Sequence, residues 1–117
     1  MAEYLPIYKP GQAITLAASA TITGGQLVEV TGSGTVGPAG AASVKVVGVA
    51  AFDAASGDNV TIYAGGVQHA TAAGGITAGA VVQAGAAGTV AAGTTAPIGI
   101  ALSTALDTAD VRVQFNR

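Results

Sequence analysis

Apolar and polar residues alternate with a period of two in NVTIY, from Asn59, and in DVRVQF, from Asp110. That is the spacing of a strand with one buried face, and it turns Val60 and Ile62, and likewise Val111 and Val113, towards a core. Similar short runs recur from Ala13 onward and predict strands over 13–17, 26–31, 44–50, 58–64, 66–70, 80–84, 88–91, 97–102 and 110–115. The connections between them, TGG, GSG, AASGD, AAGG and AGAAG, are turn-forming in composition. The alanine-rich stretches 50–55 and 103–109 lack internal glycine and are candidates for one helical turn each; no longer helix is predicted. Regularly spaced short strands of this kind predict an all-β fold, a small β-barrel or sandwich.

The second half of the chain repeats the first. ITGGQLVEVTGSGTV from Ile22 and ITAGAVVQAGAAGTV from Ile76 share seven of fifteen positions. The correspondence resumes with Val47 against Ile98, Val49 against Ile100, Val60 against Val111 and Ile62 against Val113. The repeat units, approximately 22–63 and 76–114, describe a scaffold built by doubling within a single β domain over 13–117. What repeats is glycine and β-branched residues rather than groups that carry chemistry.

Residues 1–12, MAEYLPIYKPGQ, break the pattern. Pro6 and Pro10 push the residues before them away from helical angles. A disordered tail is usually polar and poor in aromatics, whereas this one carries Tyr4 and Tyr8 beside Leu5 and Ile7. It reads as an extended N-terminal arm that rests on its own body or on a neighbour. The expected contact residues are Tyr4, Leu5, Pro6, Ile7, Tyr8, Lys9 and Pro10.

Composition narrows the picture. Valine and isoleucine total 21 against five leucines, with thirteen threonines beside them, a balance that favours pleated strands over helices. Of the 117 residues 27 are alanine, which buries little area, so the core is expected to be thin and to gain from partner subunits. The four cations, Lys9, Lys45, Arg112 and Arg117, are scattered in a chain of net charge −2. That excludes a phosphate-tracking surface, and direct nucleic-acid binding is not expected. No cysteine is present, so disulfides and thiolate metal sites are ruled out. No charged-then-apolar leader and no run of 18 apolar residues is found, which leads to the expectation of a protein made and used without export or membrane insertion.

No motif completes a catalytic or cofactor site. GSGTVG over 32–37 spells GxGxxG, with Asp53 further on, but Pro38, Ala39 and Gly40 follow where a helix must open to hold a pyrophosphate. It reads as a turn. Neither lysine follows a glycine, so there is no Walker loop, and no GxSxG elbow is present. His69 is the single histidine, fitting a surface or interface role better than lone general-base catalysis. Asp53, Asp58, Asp107 and Asp110 fall in two loops that correspond across the repeat, without the dense alternating ligands of a calcium loop. They read as turn-forming carboxylates. No catalytic residue, cofactor or metal is expected. Asn59-Val60-Thr61 is an acceptor sequon without consequence in a chain that is not exported.

The residues Gly25-Gln26-Leu27-Val28, Val47-Gly48-Val49-Ala50, Gly57-Asp58-Asn59-Val60, Val67, Ile98-Gly99-Ile100-Ala101 and Asp110-Val111-Arg112-Val113, following a proline-containing aromatic arm, resemble one family. It is that of the small capsid decoration, or cement, proteins of tailed bacteriophages, often carried under a recombinase-like label that the missing Walker loop contradicts. The resemblance implies a compact β domain on the outer capsid surface of the virion, made in the host cytoplasm. It also implies a homotrimer at three-fold or quasi-three-fold positions that clamps neighbouring subunits of the major capsid protein. Two alternatives stand beside it. One is another virion or surface module, such as a tail or fibre domain; the other is a ligand-binding module or enzyme working through His69 and the loop aspartates.

Overall fold

The computed structural model describes residues 3–116. Met1 and Ala2 of the expected arm and Arg117 of the expected body lie outside the described residues. The described residues form ten strands: β1 (Ile14–Ala18), β2 (Leu27–Gly32), β3 (Thr35–Pro38), β4 (Val46–Ala50), β5 (Asn59–Tyr63), β6 (Val67–Thr71), β7 (Val81–Ala84), β8 (Val90–Ala92), β9 (Pro97–Ala101) and β10 (Asp110–Phe115). The first five close into a barrel in the order β1-β3-β2-β4-β5, with β5 returning to β1. The second five form a sheet in the order β6-β10-β9-β7-β8. This is the same order opened at one seam, with β6 in the place of β1 and β10 in the place of β5. At that seam a parallel bridge joins Ala72 to Val90, where the barrel sets Ala18 beside Val36.

The duplication is exact enough to be followed side chain by side chain. Ala18, Ile22, Val28, Val36, Ala50, Ala54, Val60 and Ile62 line the barrel. Their counterparts Ala72, Ile76, Val82, Val90, Ala101, Ala105, Val111 and Val113 are buried in the second unit, and only the last pair differs in residue type. The structural repeat begins at β1 and β6, ahead of Ile22 and Ile76 where the sequence match begins. Gly48 and Gly99 occupy matching places opposite matching register shifts, at Val28/Glu29 and Val82/Gln83. A Cβ at either glycine would run into the facing backbone, at Tyr63 for Gly48 and at Gln114 for Gly99. The close approach of two strands, rather than turn formation, demands glycine there.

Two local expectations are corrected. The stretches 50–55 and 103–109 form no helical turn; beyond Ala50, which ends β4, they run through bends and single β-bridges, with a turn at 107–108. Ala54 exchanges both backbone hydrogen bonds with Ile22, and Ala105 does the same with Ile76, so these segments spend their backbone groups on distant partners. The segment 32–37 contributes more than a turn. Ser33 and Gly34 make the reversal, but Thr35–Pro38 continues as β3 because Val36 fits fully into the barrel. One unexpected turn of 3₁₀ helix, Ala86–Gly88, lies in the β7–β8 connection.

The core of the second unit takes in residues of the first. Leu27 and Val49 are cross-strand neighbours. With Ala39 and Val46 they project outward from the barrel and pack into the cluster that fills the second unit. Their chain neighbours Val28 and Ala50 face the barrel interior. Strands β2 and β4 are therefore buried on both faces where the units meet, which is why LV and VVGVA read as unbroken apolar runs. Hydrogen bonds stitch the joint: Gly88 N–H donates to Ala39 O at 2.8 Å, Ala42 N–H to Ala84 O at 2.8 Å, and Gln26 Nε2 to Ala87 O at 3.0 Å.

Glu29 holds the loop that carries Ala39 and Ala42 to this joint. Its Oε1 accepts the Gly40 N–H at 2.6 Å and its Oε2 lies 3.6 Å from Lys45 Nζ. The bond from Gly40 is the chief reason its carboxyl sits below the ordinary 4.5, with Ser43 and Lys45 assisting and partial burial opposing. A carboxyl lowered on folding stabilises the fold above its unfolded value, and this contribution is lost as pH falls through the lowered folded value.

Two outcomes are expected. Leu27→Ala opens a cavity at the joint and should cost about 2–5 kcal/mol in denaturant unfolding. Glu29→Gln should be less stable than the parent at pH 7, and the difference should shrink on acidification below pH 4.5, as thermal melts across that range will show.

Candidate functional site

The arm reaches the barrel through a reversal at Lys9–Gln12. Gln12 N–H donates to Lys9 O at 3.1 Å, and Lys9 N–H to Gln12 Oε1 at 2.6 Å. Pro10 stands second and Gly11, at φ +85°, third, the residue order of a type II turn. Tyr8 is tied back to the body, its hydroxyl accepting the Thr15 N–H at 3.2 Å. Beyond it, towards the N-terminus, the described chain carries no regular structure. Tyr4 and Leu5 are each 79% exposed and Ile7 is 90% exposed. Of the expected contact residues, Tyr8, Lys9 and Pro10 are thus gathered at the base of the arm. Tyr4, Leu5, Pro6 and Ile7 stand clear of the body.

The polar candidates come together only in pairs. His69 Nδ1 lies 3.1 Å from Asp110 Oδ2, with both side chains largely in solvent. Such a pair contributes little to stability, and among the described residues the partner of the His69 ring is a carboxylate and not a nucleophile. Asp53 Oδ1 accepts the Gly24 N–H at 2.8 Å and Asp107 Oδ1 the Gly74 N–H at 2.7 Å, the turn role read from the sequence. Thr104 takes the place of Asp53 in the second unit, its hydroxyl accepting the Ala78 N–H at 3.0 Å. Among the described residues no group of three or more His, Cys, Asp or Glu could hold a metal ion, and no helix is long and apolar enough to cross a membrane. An open cleft of about 260 Å³ lies where the units meet, lined by residues including Thr23, Gln26, Thr71 and Thr89. It contains no charged side chain.

Sequence reasoning missed apolar side chains exposed on the body. Phe52 and Leu106 lie in the β4–β5 and β9–β10 loops, Tyr63 and Val67 flank the link between units, and Ile100 and Leu102 lie on and beside β9. The available signal was the run IGIAL from Ile98. A strand apolar at consecutive positions offers an apolar residue to each face.

The model of a family described as phage cement protein matches residues 8–116. Among solved structures, the chain is similar to the head fiber gp8.5 N base of bacteriophage phi29, with a TM-score of 0.73 and 19% sequence identity over 90% of this chain and 93% of that one. At that identity the likeness is one of fold. No curated protein sequence matches significantly. Tyr4, Leu5, Pro6 and Ile7 precede the segment matched by the family model.

Proposed function

The chain belongs to the phage cement protein family and is a structural protein of the bacteriophage virion, and from that premise we propose that it binds the outer surface of the head and clamps neighbouring major capsid subunits. It works by contact and not by catalysis, and it sits as a homotrimer at three-fold or quasi-three-fold positions. The observation that carries this reading is the arm. Three large apolar side chains, Tyr4, Leu5 and Ile7, stand in water on a segment whose base is fixed by the Lys9–Gln12 turn and by Tyr8. Covering them gains about 25 cal/mol per Å² of apolar area. Pro6 limits the freedom lost on docking, and the tyrosine hydroxyl can still find a partner when its ring is buried. Lys9 at the rim adds a minor charge contact to an acidic capsid surface. The rest of the surface is low in charge, as suits a protein that meets the shell and not the DNA inside it.

A second reading, a base that seats a fibre on the head, draws support from the fold shared with the head fiber N base. Both readings require attachment to the head.

Deleting residues 2–7 leaves Tyr8 and the turn in place, so the body should melt at nearly the parent temperature. Its co-sedimentation with phage heads lacking their own copy should weaken by more than about tenfold. Equal binding by truncated and full-length protein would show that the strand-and-turn body, not the arm, holds the shell.

A further inference from the structure

The four residues that dock the first unit onto the second have counterparts in the second unit: Val81 for Leu27, Gly93 for Ala39, Pro97 for Val46 and Ile100 for Val49. Val81 and Ile100 are cross-strand neighbours, as Leu27 and Val49 are. The loop beside them is pinned in the same manner. Gln83, in the place of Glu29, accepts the N–H groups of Thr95 and Ala96 at 3.0 and 3.2 Å. In the first unit all four positions are buried. In the second, Pro97 and Ile100 are exposed, Ile100 by 38%, and Val81 and Gly93 are half-buried.

The rim of the receiving side is repeated as well, while the core cluster behind it is enclosed by the closed barrel in the first unit. The β7–β8 hairpin meets the first unit through Ala84, Ala87 and Gly88, and Ala84 and Gly88 are buried. Their counterparts in the β2–β3 hairpin, Val30, Ser33 and Gly34, are all exposed. A Cβ at Gly88 would strike Gln26 and Leu27 O, whereas one at Gly34 would meet nothing within 4 Å. One end of the molecule therefore carries the open copy of the docking face, and the first unit carries the open copy of the hairpin that fills it. None of these residues is charged, so bringing them together buries no ion.

We propose that a second copy of this chain docks head to tail, its β2–β3 hairpin seated on the outer face of β7 and β9, repeating between copies the hairpin contacts of the joint that holds the two units together. The occupant is another copy because the open docking face and the open hairpin that fits it belong to one chain. An interface between two different patches propagates from copy to copy and closes into a ring when the rotation per copy divides a full turn. It gives the self-association proposed above its surface, and it rests on that reading.

Within the chain Gln26 reaches Ala87, and the counterparts of this pair are Ala80 and Ser33. With no native cysteine present, the double variant Ala80→Cys/Ser33→Cys should cross-link between copies with a short bis-maleimide, in solution and on decorated heads. Either single variant should not. Ile100→Asp, at an exposed position, should keep the parent melting temperature and weaken self-association more than tenfold by sedimentation velocity. Self-association that survives Ile100→Asp and yields no cross-link would overturn the proposed surface while leaving the oligomer standing. A chain that stays monomeric both free and on heads would overturn both.

Discussion

Burial of both faces of β2 and β4 is the constraint on which the rest of the molecule depends. A five-stranded barrel lined by Ala18, Val28, Val36, Ala50, Val60 and Ile62 encloses few large side chains, and a unit of such size buries too small a share of its surface to be robust alone. Turning Leu27, Ala39, Val46 and Val49 outward and covering them with a second unit joins two thin cores. The polar groups nearby serve that joint. Glu29 holds the β3–β4 loop through Gly40, and the loop in turn bonds the second unit through Ala39 and Ala42.

How much of this was legible in the sequence follows from which interactions are local. The period-two pattern of NVTIY and DVRVQF survives unchanged in β5 and β10, because alternation depends only on neighbours along one strand. The duplication was legible where it carries apolar side chains and glycines. It was invisible at β1 and β6, where ITLAA and VQHAT share only the fold. The strand β3 was hidden in GSGTVGPAG, since a single buried side chain, that of Val36, beside the buried Gly37, recruits it. The loops around Ala54 and Ala105 looked helical by composition, but their backbone groups belong to Ile22 and Ile76, far away in sequence. The arm was legible as an apolar, proline-limited segment, and its turn rests on the adjacent residues Lys9-Pro10-Gly11-Gln12. The open face of the second unit was not, because consecutive apolar residues in IGIAL do not reveal which face lacks a cover.

In the proposed role these features divide the work. The doubled body supplies a rigid block with little charge, and the arm supplies apolar anchors ahead of the segment that the family model matches. The polar pairs, His69 with Asp110 and Asp53 with Gly24, decorate or shape the surface without gathering into a reactive centre. Grip on a shell needs area and fit, and neither demands the buried charges that catalysis uses.

The measurement that tests the account most directly is a reconstruction by electron cryomicroscopy of heads carrying this protein. The account predicts paired five-stranded units on the outer surface, with residues 4–7 of each copy threaded onto adjacent major capsid subunits. Density for this protein found away from the head shell, or seated there with residues 4–7 projecting into solvent, would contradict it.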